Sequence, residues 1–279
     1  MHADVAAASS PLCFRWLGTA GLALTVGDVT LVIDPYVTRV PTWQLIFGTL
    51  RPDRRRVADY VGHCDDVLVT HAHFDHLLDV PAVLAQPGAV AFGSSNTCRL
   101  LAASGVPAAQ IREIDAGHTL SLGAVQVDVL SAEHVTFWGR TMARGPLRAD
   151  VSLPLRAWDY RMDSDFSFLV RAEGGRWLIW SGPGVDIPPV DVAFVNALSP
   201  GIEDLCRTAR PGVIVPIHWD DFTRSLSKPL RPMFYPTGKL TPFVRRFDQV
   251  AYRRMLAHAA PGSRVLFPEM FRDYDLDEL

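Results

Sequence analysis

The chain is poor in the features that would mark several common protein classes. It has four cysteines in 279 residues, Cys13, Cys64, Cys98 and Cys206. They are widely scattered and form no CxxC pair, which argues against a disulfide framework and against a cysteine-based zinc site and fits a reducing compartment. No apolar run is long enough to span a membrane. The opening MHADVAAASSPLCFRW has no basic start followed by a long apolar stretch, so it does not read as a signal peptide. A cytoplasmic protein without a membrane partner is expected. The net charge of −3 and the pI near 6.3 give no basic surplus for binding nucleic acid. A phosphate-cradling glycine loop, a dinucleotide fingerprint and a GxSxG elbow are also missing.

What remains is an ordinary globular composition, 48% hydrophobic and 20% charged. Short apolar segments at 12–17, 21–26 and 29–33, punctuated by Gly18, Gly21 and Gly27-Asp28, predict a meander of strands ending at Asp34-Pro35. Further strands are predicted over 67–70, 89–92, 125–130, 166–170, 177–180, 190–195, 213–217 and 265–267. Gly174-Gly175 would turn the hairpin between 166–170 and 177–180. Helices are predicted over 76–85, 94–104 (capped by Ser94 or Ser95), 202–209 and 242–259. The chain thus opens with strands and then alternates strands with helices, twice. This order predicts an α/β domain over 1–279, with two inner sheets and outer helices. Inserted loops are expected near 36–60, 135–164 and 219–241.

The chemistry concentrates in histidine. Five of nine histidines fall at three predicted strand ends. His71, His73 and His76 follow Val69-Thr70, His134 follows the 125–130 strand, and His218 follows the 213–217 strand. Loops at strand ends are free to converge on one point, where metal ligands often gather. His71 and His73 are two apart and project to one side of an extended chain. Asp75 and His76 would serve a neighbouring ion or a water. Imidazole nitrogens and a carboxylate oxygen suit Zn²⁺, Mn²⁺ or Fe²⁺.

The run His71-Ala72-His73-Phe74-Asp75-His76 resembles the metal motif of the metallo-β-lactamase superfamily. Ser131-Ala132-Glu133-His134 resembles the segment of its third histidine, and Pro216-Ile217-His218-Trp219 that of its last. Trp16-Leu17-Gly18 through Ile33-Asp34-Pro35 resembles its opening meander. The similarity is greatest to the lactonase-like and phosphodiesterase-like branch. The resemblance implies a four-layered αββα sandwich and a metal-dependent hydrolase of esters, thioesters, lactones or phosphodiesters. It implies one or two Zn²⁺ ions, with His71, His73 and His134 at the first and Asp75, His76 and His218 at the second. Asp75 would be ligand, base or both. It also implies a small-molecule substrate and a homo-oligomer, since members often assemble.

One position departs from the family pattern. The metal-bridging Asp of a Ser-Gly-Asp-like turn is replaced here in Ser181-Gly182-Pro183-Gly184. Proline has no donor atom, so Pro183 cannot bridge. Asp186 would reach the site only through a remodelled turn. The substitution leaves three readings open. They are a one-ion or two-ion hydrolase, a degenerate member that binds metal or ligand without catalysis, and an iron-dependent redox or isomerising enzyme.

The loop after His134 holds Arg140, Arg144, Arg148, Arg156 and Arg161, with Trp138 and Trp158 among them. It reads either as a lid gripping an anionic substrate or as a solvated loop partly paired to Asp150, Asp159 and Asp163. Arg54-Arg55-Arg56 reads as surface. Trp219 would wall the site, and Asp220 or Asp221 would orient an imidazole.

Overall fold

Alternate residues of a strand face opposite sides of a sheet, and the apolar residues here use both sides. In a computed structural model, which describes residues 12–136, 140–173, 175–236, 244–276 and 278–279, this places three hydrophobic layers. The strands in chain order are β1 (Leu12–Gly18), β2 (Gly21–Val26), β3 (Val29–Ile33), β4 (Asp66–Leu68), β5 (Val90–Gly93) and β6 (Ile111–Glu113). Then come β7 (Thr119–Leu122), β8 (Val125–Ser131), β9 (Phe166–Ala172), β10 (Gly175–Trp180), β11 (Val192–Asn196) and β12 (Val213–Ile217). The last four are β13 (Phe234–Pro236), β14 (Val244–Arg246), β15 (Arg264–Val265) and β16 (Asp273–Asp275). One seven-stranded sheet has the order β16-β1-β2-β3-β4-β5-β6, and the other β15-β12-β11-β10-β9-β8-β7.

The layer between the sheets takes one face of each. Leu31 and Ile33 of β3, Trp177 and Ile179 of β10, and Phe194 of β11 lie in it, with Phe14 and Trp16 of β1. The intervening residues face outwards. Val32 joins Val57, Leu77 and Leu100 under the helices α2 (Arg54–Tyr60), α3 (Phe74–Leu77), α4 (Val80–Val83) and α5 (Ser95–Ala103). Leu178 and Val195 join Leu205 and Leu256 under α6 (Ile202–Ala209) and α7 (Gln249–Ala259). Helices therefore cover the outer face of each sheet. This is the four-layered αββα sandwich that the resemblance implies. The six-residue α1 (Thr42–Phe47), earlier in the chain, buries none of its residues.

Several boundaries differ from the sequence reading for identifiable reasons. The helix expected over 76–85 is broken into α3 and α4. At the break the carboxylate of Asp79 accepts hydrogen bonds from the backbone N–H groups of Val37 and Thr38, at 2.7 and 2.8 Å, and from the Thr38 hydroxyl. Pro81 stands in the first turn of α4. The helix expected over 242–259 begins at Gln249. Asp248 caps it, accepting from the backbone of Val250 and Ala251, and the residues before it pair as β14 with β13. The loop expected at 36–60 contains α1 and α2. Strands β6, β7, β13, β14 and β16 were not expected. The hairpin residue Gly174, Pro242 and the opening residues 1–11 lie outside the described residues. Among the described residues no helix is long and apolar enough to cross a membrane.

Candidate metal centre

Four of the six candidate ligands lie just beyond the C-terminal end of a strand. His71 and His73 follow β4, His134 follows β8, and His218 follows β12. His73 stands at the N-terminal boundary of α3, and Asp75 and His76 lie in its first turn. His218 has φ of 61°, a left-handed conformation uncommon for a side-chain-bearing residue. Its backbone N–H donates to the Thr19 carbonyl at 2.8 Å. Thr19 is held by the Asp220 carboxylate at 2.9 Å, and Asp220 pairs with the buried Arg39 at 2.7 Å. Asp220 thus acts on the His218 backbone two steps away rather than on an imidazole. Asp221 pairs with Arg231 instead, and Trp219 packs on Trp16 in the inter-sheet layer instead of walling the site.

The six residues form two groups, His71 with His73 and His134, and Asp75 with His76 and His218. Within each, one ligand atom per residue lies within 4.8 Å of the others. In the first, ring centroids are 4.6 to 4.8 Å apart and the planes nearly perpendicular. In the second, Asp75 Oδ2 is 3.4 Å from His218 Nε2 and 3.7 Å from His76 Nε2. The groups adjoin through His71 and His76, whose rings are 3.9 Å apart.

The outward-facing nitrogens of His71, His73, His76 and His134 are occupied. His76 Nδ1 meets Asp34 Oδ2 at 2.7 Å. His134 Nδ1 donates to the Val135 carbonyl at 2.7 Å and His73 Nε2 to the Met142 carbonyl at 3.0 Å. His71 Nδ1 lies 3.0 Å from the Thr70 hydroxyl and 3.4 Å from Asp165 Oδ1. These contacts fix ring orientation and leave His71 Nε2, His73 Nδ1, His134 Nε2 and His76 Nε2 for an ion. His71 Nε2 is buried without a hydrogen-bond partner, an arrangement that is costly unless something occupies it. The residues present therefore fit a divalent cation bound by imidazole and carboxylate.

Charge on the groups follows their surroundings. Burial pushes His71 well below the usual imidazole range, and the neighbouring histidines push it further. Burial likewise lowers His134 to about 3. For His76 burial is outweighed by Asp34 and Asp75, which hold it at about 9. Burial alone would raise Asp75, but His76, His218 and His73 bring it below the usual carboxylate range. Burial thus favours the neutral, metal-binding form of His71, His73 and His134, whereas Asp34 and Asp75 favour the protonated form of His76, from which a bound ion would displace the proton.

The turn at Pro183 has a different task from the one its position suggested. Its carbonyl accepts from the Glu133 N–H at 2.6 Å, and Ala132 bridges Gly184. A Cβ on Gly182 would meet the Glu133 carbonyl, and one on Gly184 the Ser131 carbonyl. The two glycines let this turn lie directly against the segment that delivers His134. Asp186 is exposed and belongs to neither group of ligands.

Two residues that sequence reasoning passed over support the site. Asp34 is buried and accepts from the Thr70 backbone at 2.8 Å, from the Thr70 hydroxyl at 2.6 Å and from His76. Asp165, immediately before β9, accepts from the Ser181 hydroxyl at 2.7 Å and faces His71 Nδ1. Burial raises it to about 7. The available signal was an aspartate abutting a buried apolar strand, at the end of β3 and at the start of β9. The arginine-rich loop reaches the ligands through the Met142 carbonyl, while Arg148 and Arg161 engage partners elsewhere. Arg148 pairs with Asp150, Arg161 donates to the Arg144 carbonyl, and Asp163 caps α5 through Ser94 and the Asn96 N–H. Trp138 lies outside the described residues.

Residues 30–152 match the family described as the beta-lactamase superfamily domain. A UPF0173 metal-dependent hydrolase of Pyrobaculum islandicum is 25% identical over 217 residues, covering 75% of this chain and 84% of the relative. One from Cupriavidus taiwanensis is 33% identical over 124 residues, covering 43% of this chain and 41% of the relative. Among solved structures, a metallo hydrolase from Ignicoccus hospitalis superposes with a TM-score of 0.62 at 15% identity, covering 95% of this chain and 98% of that one. CmlA, a diiron β-hydroxylase from Streptomyces venezuelae, superposes with a TM-score of 0.58 at 14% identity, covering 96% of this chain and 55% of that one. Such likeness at low identity concerns the fold and spans two chemistries.

Proposed function

We propose that this chain, a member of the metallo-β-lactamase superfamily, is a metal-dependent hydrolase acting at a carbonyl or phosphoryl centre. His71, His73 and His134 would hold one Zn²⁺, and Asp75, His76 and His218 a second ion. The observation that carries the reading is the pair of buried ligand groups at the strand ends, adjoining through His71 and His76. The relatives named as metal-dependent hydrolases support it.

A divalent ion in such a site acidifies a coordinated water to a pKa of about 7 and polarises the bond to be broken. The chain's own residues do the rest. Asp34, the Met142 and Val135 carbonyls, Thr70 and Asp165 hold four imidazoles in fixed orientations. Asp75, kept ionised by its histidine neighbours, is the anionic acceptor beside the second position and can orient a water or take its proton. Pro183 offers no donor atom, so a second ion would have one anionic ligand fewer available to it. The second ion should therefore be bound more weakly than the first.

Metal analysis of the purified protein tests this. The expected result is Zn²⁺, or Mn²⁺ in its place, at one to two ions per chain in the wild type. His73→Ala should lose the first ion. Turnover of at least one ester, thioester, lactone or phosphodiester should also depend on the metal, with His71→Ala as the blank. A protein that cannot be loaded would overturn the reading, as would activity equal in the blank. Stoichiometric iron with oxidation in place of hydrolysis would replace it with the redox alternative.

A further inference from the structure

A cavity of about 380 Å³ opens directly over both ligand groups, within the size range of small-molecule sites. Its lining is unusually uniform. Apart from the six candidate ligands, Asn196 is the one polar side chain on its wall among the described residues. Asn196 Oδ1 accepts from the Leu198 N–H at 3.1 Å, which leaves the side-chain amide N–H groups as donors. Among the described residues no arginine or lysine lines the cavity. Arg148, Arg156 and Arg161 line a separate pocket that also contains Asp150 and Asp159.

The apolar lining continues out of the cavity. Ile46, Trp158, Phe234 and Val244 all line it, yet each is more than half exposed. Trp43 and Phe47 extend the surface along α1, at 66% and 78% exposure. These six residues come from three separate stretches of chain and account for about half of the large exposed hydrophobics among the described residues. Apolar side chains gathered at the mouth of one cavity mark a binding surface, whereas scattered ones need no explanation. Away from the ligand groups, an anionic part of a substrate would have to leave water for a wall that carries no arginine or lysine among the described residues, which is costly.

We infer that the cavity takes a neutral substrate with a long apolar tail. The hydrolysable bond would lie over the histidines beside Asn196, and the tail would run out along Ile46, Phe234 and Trp158. The inference rests on the hydrolase reading for the bond that is broken, but the recognition of the tail does not depend on turnover. It replaces the anion-gripping lid considered for the arginine-rich loop.

The test has two arms. The first measures kcat/KM of the metal-loaded full chain on p-nitrophenyl esters from acetate to decanoate, each below its micelle concentration. Each methylene that enters the cavity should raise kcat/KM about four-fold until the tail passes the rim. The second arm follows Nile red fluorescence with metal-free wild type. The dye should bind and be displaced by 1-decanol but not by 1-butanol. Ile46→Asp and Phe234→Asp, both at exposed positions that leave the core intact, should weaken decanol competition about ten-fold. Esters hydrolysed without chain-length preference, together with no competition by decanol, would overturn the inference and leave the hydrolase standing. Decanol binding with no ester or other substrate turned over would overturn the hydrolase and leave the tail site standing.

Discussion

The two ligand groups sit side by side but are supported in opposite ways. His71, His73 and His134 carry no carboxylate among them, and each has its second nitrogen within reach of a neighbouring oxygen from three different parts of the chain. Asp75, His76 and His218 carry a carboxylate, but only His76 has a firm contact behind it, while His218 Nδ1 is buried without a partner. The first group is therefore oriented by hydrogen bonds and the second by charge and by the His218 backbone. Orientation built from several independent contacts tolerates the loss of one of them. Orientation that hangs on a single contact does not.

The comparison breaks most completely where the groups touch. His71 belongs to the first, and its ring centroid lies 3.9 Å from that of His76 of the second. His71→Ala should remove the first ion and lower kcat/KM by on the order of 10³-fold, the several kcal/mol that a bound ion contributes to the transition state. Metal content by mass spectrometry and kinetics on one substrate check this together. Retention of a full metal complement would separate His71 from the site.

The next largest effect tests the backbone support of the second group. Asp220 and Arg39 are both almost wholly buried, 2.7 Å apart, and Asp220 fixes Thr19 under the His218 N–H. Asp220→Ala leaves the guanidinium buried without its partner, which costs about 3–5 kcal/mol. Thermal unfolding should report that loss directly. In the metal-bound protein the second ion should be lost before the first. Equal loss of both ions would mean that the support is global rather than local to His218.

Asp34→Asn sharpens the comparison at smaller scale. Replacing the charged acceptor behind His76 should reduce affinity for the second ion by about 10- to 100-fold, the usual cost of losing such a contact. The first ion should be little changed. A competition titration with a chromophoric chelator would resolve the two affinities. A uniform fall would show that Asp34 acts through Thr70, which it also binds, and so reaches His71.

How much of this was legible in the sequence depended on distance along the chain. His71, His73, Asp75 and His76 are contiguous, and their spacing alone suggests a site. His134 and His218 were legible because each follows an apolar run long enough to read as a strand. Asp34 and Asp165 were not, because they act on His76 and His71 across 42 and 94 positions, and nothing local marks an aspartate as a partner for a distant imidazole. The layers were legible because β3, β10 and β11 alternate apolar side chains between two covered faces. The break between α3 and α4 was not, because Asp79 leaves the helical pattern to bind Val37 and Thr38. The apolar rim was hidden for a related reason. Thr42-Trp43-Gln44-Leu45-Ile46-Phe47 has the composition of a core segment, yet α1 buries none of it. Composition therefore says nothing about which side of the surface such a segment occupies.

The smallest expected effect concerns the arginines. Arg148 is largely exposed and paired with Asp150 at 3.2 Å, and its pocket is not the one above the histidines. Exposed ion pairs contribute little, because water and salt screen them. Arg148→Ala should therefore change kcat/KM on a neutral ester by no more than about two-fold and leave the salt dependence of the rate flat. If the loop instead gripped an anion, the same variant would raise KM selectively for an anionic substrate, and the wild-type rate would fall with ionic strength. A neutral and an anionic ester of equal chain length, assayed across a salt series, separate the two. The expected invariance matters because it assigns recognition to the apolar wall. Charge then serves to hold the ligands, and hydrophobic burial to select what reaches them.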